Sequence, residues 1–560
     1  MTKPLFLARL CGTQEEMGAQ HGKLVADDAA RLLEFYRTMP ERTLAGDMSG
    51  VGGAIGRAMI RGLANAWQSR LAKERPAELL GRSRAFAVAA GSTPDVVRAM
   101  ATMDTLQNCV SLVARAKLGP FANPVAPRVA AAAIPACSSI IAWGDATEDG
   151  ELLFSRNFDF PGVGVWDAAP AFVVCVPEVG QRYGFFATRG ADTPVVTVVN
   201  EAGLVLAPHT RWHTGVTWGG AMIVDVVHDI ARRAESLEDA IRIARERPVS
   251  SSWGIAIGSA REKSALVLEI AGPKLEVVRP APGASYLVCA NRYRSAPMQS
   301  GQFAASAAWA LHSERRERRL RALVDARTSK LTAEMLARFM GDRRDVDAPA
   351  QTRRLGGIPA QPTNVHCAVV MPSKRRALVG VDQAPCCEGR WAEIAWSWDG
   401  PAGGWESTSL GESGFTAAMR DDLVAPQDEA TRHVHDAARA YETTHDLPAT
   451  RAAIERAIEA APDDPSLRLS AAWLAMESGD LAHAVRQVER GLRQETEPYR
   501  RGQLLLWGAR AARTVDPAQS IRWSDELARL SGPHVDELKA AARRRYRGRP
   551  HVNFMMADAY

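Results

Sequence analysis

Along residues 15–117 apolar positions recur at intervals of three and four. The runs EEMGAQHGKLVADDAARLLEFYRTM, IGRAMIRGLANAWQSRLAKE and PDVVRAMATMDTLQNCVSLVARAK each place an apolar stripe on one side of a helix. The pattern predicts a helical first segment with no strand in it. From Gly119 to Ala136 the stretch GPFANPVAPRVAAAAIPA has neither period, and its Pro and Ala content reads as an exposed connector. At Cys137 short apolar runs broken by turns begin and continue to about Trp398: SSIIAWG, ELLFSRNF, AFVVCV, TPVVTVV, GLVLAP, GIAIG, ALVLEI, SYLVCAN, CAVVM and RALVGV. Helical stretches at Ala221–Arg247 and Ser313–Met340 interrupt them. Short turns between so many strands predict mostly antiparallel sheets with helices added, an α+β layout rather than a wound βαβ one. After the Pro/Gly-rich DGPAGGWESTSLGESG the helical period returns at Ala425 and holds to the end. Three regions follow: a helical segment and linker at 1–136, a strand-rich region at 137–400 and a helical region at 425–560.

Composition narrows the function. The 560 residues far exceed the roughly 150 of a typical domain, in keeping with that division. Hydrophobic residues at 46% and charged residues at 24% are the balance of a globular protein. A formal charge of +5, from 69 basic and 64 acidic residues, is too weak a bias to argue for nucleic acid. Spanning a membrane takes about 18–20 apolar residues, and the best candidate, Val129–Trp143, contains Pro135, Cys137, Ser138 and Ser139, so no membrane span is expected. The opening MTKPLFLARLCGTQEE meets charge at Arg9, Glu15 and Glu16 too soon for a secretory signal, which points to a cytoplasmic protein. Eight cysteines with no CxxC pair fit reduced thiols, and the adjacent Cys386 and Cys387 read as buried packing.

The chemistry concentrates in CSSIIAWGDATEDGELLFSRNFDF, residues 137–160. Alternation after Cys137, the turn signal Asp149-Gly150 and the returning run Glu151–Phe158 predict a hairpin. A turn centred between residues 148 and 149 makes facing positions sum to about 297, so that residue 137 faces about 160 and residue 156 about 141. Arg156 and Asp159 then return to the thiol of Cys137. A thiol at a strand start, beside a carboxylate and a guanidinium on the neighbouring strand, is the arrangement of an N-terminal nucleophile enzyme.

These residues carry a resemblance. The chain resembles the autoproteolytic C45-type acyltransferases and amide hydrolases related to isopenicillin N acyltransferase, and more distantly the bile salt and penicillin V hydrolases. The carriers are Cys137 with its following serines, Asp149-Gly150, Arg156-Asn157-Phe158-Asp159, Asn200-Glu201-Ala202-Gly203-Leu204, and Asn291 after SYLVCA. The early EEMGAQHGKLV followed by FY is similar to that family's prosegment. The resemblance spans about residues 15–395 and implies an Ntn-hydrolase αββα sandwich. It implies self-cleavage between Ala136 and Cys137, with Asp159 holding the new terminus, Arg156 beside the nucleophile and Asn291 as an oxyanion donor. The freed α-amine, with a reference pKa of about 7.7–8.0, is partly neutral near neutral pH and takes the thiol proton itself. The thiolate then attacks an N-acyl amide or acyl thioester to give an acyl-enzyme; release to water makes a hydrolase, and release to an amine makes an acyltransferase.

The chain departs from the family at three places. Ala136 stands where a glycine commonly precedes the nucleophile. In the bile salt hydrolases a supporting arginine falls at the position of Asn364, with Arg353 and Arg354 nearby as replacements, and a second oxyanion asparagine falls on Thr210. Thr210, Asn364 and His209 are accordingly candidate pocket residues, and Asn200 reads as a turn cap.

Other chemistries fit less well. His209, His213, His228 and His366 raise a papain-like reading, but the cysteine lies on a strand rather than at a helix start. His209 and His213, in PHTRWH, lack helical period, so no metal is expected, and no cofactor either. Trp166, Trp212, Trp218 and Trp253 line an acyl pocket or fill the core. The competing class is a catalytically silent binding protein. In it the C-terminal helices, whose Trp473, Leu474, Gly479, Asp480 and Ala484 resemble tetratricopeptide repeats, recruit a peptide partner. The terminal cluster Arg543, Arg544, Arg545, Arg547 and Arg549 reads as a solvated charge run.

Overall fold

A computed structural model describes all of the chain except residues 1–3, 46–49, 93–94, 116–135, 305–306, 424–427, 545, 547, 555–556 and 560. The Pro/Ala-rich connector therefore lies outside the described residues apart from Ala136, as do Arg545 and Arg547 of the basic cluster. The chain divides into two compact units, Met1–Phe303 with Leu320–Met340 and Asn364–Ala425, and Ala304–Arg319 with Gly341–Thr363 and Pro426–Tyr560.

The first unit opens with strand β1 (Phe6–Gly12) and helices α1 (Gln14–Leu24), α2 (Ala26–Ala45), α3 (Gly50–Lys73), α4 (Ala77–Ala89), α5 (Asp95–Met100) and α6 (Thr102–Arg115). There follow β2 (Ala136–Ala142), β3 (Leu153–Asp159), β4 (Pro170–Pro177), β5 (Tyr183–Thr188), β6 (Thr197–Asn200) and β7 (Leu204–Thr210). Helices α7 (Ile223–Arg233) and α8 (Leu237–Glu246) lead to β8 (Ser252–Ser259), β9 (Ser264–Ala271), β10 (Lys274–Val278) and β11 (Tyr286–Cys289). Helix α9 (Ala296–Gln299), the end of α10 (Ala307–Asp325), whose residues up to Arg319 belong to the second unit, and α11 (Ala333–Met340) precede β12 (Asn364–Met371), β13 (Arg376–Gly380), β14 (Trp391–Trp396), β15 (Gly403–Glu406) and β16 (Phe415–Met419).

The strands form two sheets, in the orders β10-β9-β8-β7-β6-β5-β4-β1-β15 and β11-β2-β3-β12-β13-β14-β16. Among the described residues every strand pairing in these sheets is antiparallel except that of β1 with β4. The pleat sorts each strand into two faces. In β7, Val205 and Ala207 join Phe172, Phe186, Ile141, Phe154 and Val370 in a core between the sheets, while Leu204 and Leu206 join a second core with Met17, Leu32, Trp67, Phe86, Ile230 and Ile241 of the helices. On the outer face of the other sheet, α11 packs on β3 and β12, and Met340 takes a hydrogen bond from Asn157 at 2.9 Å. The layout is α+β with helices outside two stacked sheets, as the resemblance implies.

Two features were not read from the pattern. The apolar run before Arg9 is strand β1, set inside the nine-stranded sheet rather than in a helical segment. Its buried Arg9 donates to the carbonyls of Ser397, at 2.9 Å, and Ser413. β15 lies within the Pro/Gly-rich stretch and pairs with β1.

The EEMGAQHG motif explains how the first segment docks. Thr13 and Glu16 form a capping box that starts α1. A Cβ at Gly18 or Gly22 would collide with the carbonyls of Arg82 or Phe86, so these glycines let α1 and α4 pack backbone to backbone. Between them, His21 Nδ1 lies 2.8 Å from Asp192 Oδ1, and Arg82 Nε donates to Asp192 Oδ2 at 2.9 Å. Burial would raise the Asp192 carboxyl, but the Arg82 charge and hydrogen bonds from His21 and Arg82 outweigh it and hold the group well below the usual carboxylate range. A second buried pair, Arg75 with Asp225 at 2.8 Å, ties the same segment to α7.

The second unit contains α12 (Glu429–Thr444), α13 (Leu447–Ala460), α14 (Pro465–Ser478), α15 (Leu481–Gln494), α16 (Pro498–Val515), α17 (Pro517–Arg529) and α18 (Val535–Ala542), with the short strands β17 (Val552–Asn553) and β18 (Asp558–Ala559). Asp428, Asp446, Asp464, Asp480 and Asp516 each accept a backbone N–H at a helix start. Gly479, at φ 86°, ends α14 in the left-handed region. Trp473, Leu474 and Ala484 are buried in this unit's core.

Arg82→Met leaves Asp192 buried without its guanidinium, and is expected to lower stability by about 3–5 kcal/mol. The double variant Arg82→Met/Asp192→Leu should recover much of that loss. Urea unfolding of the three proteins checks both outcomes.

Candidate active site

Cys137 is the second residue of β2, and its partner across the ladder is Phe158. The observed register pairs Ala136 with Asp159 and Ser139 with Arg156, two residues from the register expected from the sequence. The 3-10 turn Gly144–Ala146 moves the centre of the hairpin toward the N-terminus. A shift of two keeps every side chain on its face, so Cys137, Ser139, Arg156 and Phe158 share one face of the sheet.

Arg156 Nη2 lies 3.0 Å from Cys137 Sγ and donates to the Pro208 carbonyl at 2.6 Å. Arg156 is 1% exposed, its Nε and Nη1 have no hydrogen-bond partner among the described residues, and its guanidinium lies over the Phe158 ring at 5.4 Å. The Cys137 N–H donates to Asn291 Oδ1 at 2.8 Å, and Asn291 Nδ2 donates to the Thr210 carbonyl at 2.9 Å. The sulfur of Cys137 thus meets Arg156 of β3 and its backbone N–H meets Asn291 in the loop after β11, and β7 carbonyls hold both of these partners.

Asp159 faces Ala136, and strand alternation puts its carboxylate on the opposite face from the thiol, beside the Ala136–Cys137 peptide. It accepts from Asn364 Nδ2 at 2.9 Å, and Asn364 Oδ1 in turn accepts the Cys387 N–H at 2.8 Å. Asn364 therefore steadies Asp159 instead of lining a pocket. The alternative arginines are engaged elsewhere, Arg353 with Glu495 at 2.7 Å and Arg354 with Asp428 and Asp464 in the second unit. His209 Nε2 lies 3.1 Å from Ser139 Oγ between the sheets, so of the three candidate pocket residues Thr210 stands in the cavity wall.

That cavity, about 110 Å³, has Cys137 and Arg156 in its wall. The rest of the lining is mainly apolar and includes Tyr36, Met103, Phe158, Phe160, Trp166 and Trp253. Tyr36 and Met103 come from the first helical segment. Trp166 Nε1 donates to Tyr36 Oη at 3.1 Å and Trp253 Nε1 to Asp104 Oδ1 at 3.0 Å, so the same segment also orients the wall's indoles. Burial pushes the Asp104 carboxyl up to about 6, against hydrogen bonds from Ser251, Trp253 and Ile223. Trp212 is buried beside Phe303, and Trp218 is half-exposed over Trp67. Periodicity marks Tyr36 and Met103 as helix residues but carries no sign that they meet Cys137.

The remaining histidines have structural surroundings. His228 Nε2 lies 2.6 Å from Tyr183 Oη, and His213 Nδ1 accepts the Gly215 N–H at 2.8 Å. His366 faces Phe158 across β12 and β3, and burial, with Arg156 adding, pushes its pKa down to about 3. Asn200 accepts the Leu204 N–H at 3.0 Å and donates to the Ala231 and Ala234 carbonyls, a turn-capping role.

Residues 146–384 match the profile of the family described as acyl-coenzyme A:6-aminopenicillanic acid acyl-transferase. The resemblance read from the sequence stands over this stretch. The match includes Arg156, Asp159, His209, Thr210, Asn291 and Asn364, and begins just after Cys137. An uncharacterized protein of Archaeoglobus fulgidus is 26% identical over 148 residues, 25% of this chain and 24% of that protein. The chain thus spans about a quarter of the length of this relative. Among solved structures, a Caenorhabditis elegans ortholog of N-acylethanolamine-hydrolyzing acid amidase aligns at TM-score 0.30 and 13% identity, over 42% of this chain and 93% of that one.

Arg156→Met removes the cation beside the sulfur, and is expected to slow alkylation of Cys137 by iodoacetamide about tenfold at neutral pH; peptide mapping of the alkylated protein measures the rate. For His366 the folded pKa lies below the ordinary 6.5, so its neutral form stabilises the fold above that pH, and this contribution is lost as pH falls toward about 3. His366→Asn should therefore flatten the pH dependence of the urea midpoint between about pH 4 and 6.5 relative to the unaltered chain.

Proposed function

We propose that the chain is a thiol-dependent amide hydrolase or acyltransferase that works through an acyl-enzyme on Cys137, after self-cleavage of the Ala136–Cys137 peptide. The observation that carries this reading is the meeting of Cys137 Sγ and Arg156 Nη2, 3.0 Å apart, in the wall of an apolar cavity.

The reaction follows from these positions. Cleavage turns the Cys137 N–H, held by Asn291, into an α-amine that takes the thiol proton. The sulfur attacks the carbonyl carbon of an N-acyl amide or acyl thioester, and the carbonyl electrons move to oxygen. The Arg156 cation offsets the negative charge as it passes from sulfur to oxygen, and Asn291 is the oxyanion donor that the resemblance implies. Collapse breaks the bond to the leaving amine or thiol, which recovers the proton. Water or a second amine then attacks the thioester and releases the acyl group. The aromatic and aliphatic wall suits an apolar acyl group.

No helix of the described residues is long and apolar enough to cross a membrane, and all eight cysteines are free thiols. Free thiols support a reducing compartment, and we place the protein in the cytoplasm.

Intact mass and N-terminal sequencing test the maturation step, and turnover of N-acyl amides tests the chemistry. The purified chain should yield a fragment beginning Cys-Ser-Ser, and Cys137→Ala should abolish both cleavage and turnover. An uncut chain that still loses turnover on Cys137→Ala is a thiol hydrolase without maturation. An uncut, inactive chain that binds a defined peptide through its C-terminal helices would return the scaffold reading.

A further inference from the structure

We propose that the second unit carries a divalent transition-metal site, of the kind that takes Zn²⁺, built from His445, Glu477 and His551. The sequence separates these residues widely, and no ligand-spacing motif marks them. His445 follows α12 at φ 53°, Glu477 lies near the end of α14, and His551 immediately precedes β17. One ligand atom from each lies within 4.8 Å of the other two.

Distances favour coordination. Zinc bonds of about 2.0–2.2 Å in a tetrahedral site hold neighbouring ligand atoms about 3.3 Å apart. His445 Nε2 is 3.1 Å and His551 Nδ1 3.9 Å from Glu477 Oε1, so one arm is already at ligand spacing and a small rotation of His551 completes the other. The two imidazole rings are nearly parallel, at 13°, with centroids 5.6 Å apart.

Charge points the same way. Glu477 is 7% exposed, and a buried carboxylate needs a cation or a full set of donors. The charge partners at its carboxylate are the two imidazoles. A divalent cation pairs with the carboxylate and accepts both imidazole lone pairs at once. Nitrogen and carboxylate donors together suit zinc and its first-row neighbours rather than calcium.

An outer shell is also present. Tyr441 Oη donates to Glu477 Oε2 at 2.9 Å and accepts the Val552 N–H at 2.9 Å, which orients the carboxylate from outside the site. Its 3.1 Å contact with His551 Nδ1 gives way when that nitrogen turns to the metal. The side chain of His445 is 45% exposed, which leaves a side open for a water as fourth ligand. Bound there, the metal fastens the segment entering β17 to α12 and α14. This inference stands apart from the chemistry of Cys137.

The test uses the full chain, stripped with a chelator and dialysed, then titrated with Zn²⁺ by calorimetry and with Co²⁺ by visible absorption. The expected result is one Zn²⁺ per chain at micromolar Kd or tighter, a raised melting temperature, and a Co²⁺ d–d band. His445→Ala and His551→Ala, at partly exposed positions, should weaken binding by about 10–100-fold. Glu477→Gln, with its fold checked by circular dichroism, should abolish the band. Zn²⁺ binding equal in the parent and both histidine variants would overturn the site. So would no binding below about 100 μM, or a stability that responds to pH but not to Zn²⁺, the behaviour of a plain imidazolium–carboxylate pair.

Discussion

Sliding β3 past β2 by two residues would carry Arg156 nearly 7 Å along the strand, about twice the strand rise, and sliding it by one would turn its side chain to the other face. The observed ladder, with Ser139 opposite Arg156, is the register in which one guanidinium nitrogen reaches both Cys137 Sγ and the Pro208 carbonyl. The setting enforces it. β2 and β3 are flanked by β11 and β12, and Ile141 and Phe154 sit in the inter-sheet core, so either slip would break ladders on both sides and displace packed apolar residues. The hairpin adds its own constraint through Gly144 and Gly150, at φ 56° and 72°, where a side chain would be strained.

The first 115 residues belong to this architecture rather than sitting beside it. β1 lies between β4 and β15, α1 meets α4 through two glycines, and the ion pairs Arg82–Asp192 and Arg75–Asp225 are buried. Because Tyr36 and Met103 line the cavity while Asp104 holds Trp253, the wall around the thiol is shared by chain on both sides of the Ala136–Cys137 peptide. On the proposed maturation, cutting that peptide releases neither buried charge pair. The two pieces would remain one folded body, with the cavity intact and only the new terminus altered.

Much of this was legible in the sequence, and the rest was hidden for physical reasons. Alternation revealed the hairpin and the major strands because each buries one face, and Asp149-Gly150 placed its turn to within two residues. β15 stayed hidden because a short Gly-rich edge strand has no apolar alternation to show. β1 was hidden because its charged Arg9 is buried on backbone carbonyls that no local pattern announces. At the site, local spacing pointed to Cys137 and Arg156. The role of Asn364 as a support for Asp159, and the turning of His209 toward Ser139, depend on which strands become neighbours. Tyr36, Met103, His445, Glu477 and His551 are further cases in which proximity is created only by the fold.

A cysteine at 1% exposure on an apolar strand is ordinarily an inert thiol, and burial alone disfavours the thiolate. What sets Cys137 apart is its neighbour. Burying a guanidinium carries a penalty of several kcal/mol unless an anion or a full set of acceptors meets it, and Arg156 meets a thiol, a backbone carbonyl and the face of the Phe158 ring at 5.4 Å, with two of its nitrogens lacking a hydrogen-bond partner among the described residues. The resting site is therefore electrostatically incomplete. The negative charge that would complete it is a thiolate, or the oxyanion formed when that sulfur adds to a carbonyl, and either sits where the dry cavity wall strengthens the attraction. Interactions that improve as charge develops lower the barrier to acyl transfer, whereas interactions equally good in the ground state do not. For a silent binding domain the same buried cation, offset only in part by the Pro208 carbonyl and the Phe158 ring, would be a standing cost, and this asymmetry is the physical reason to favour the enzyme.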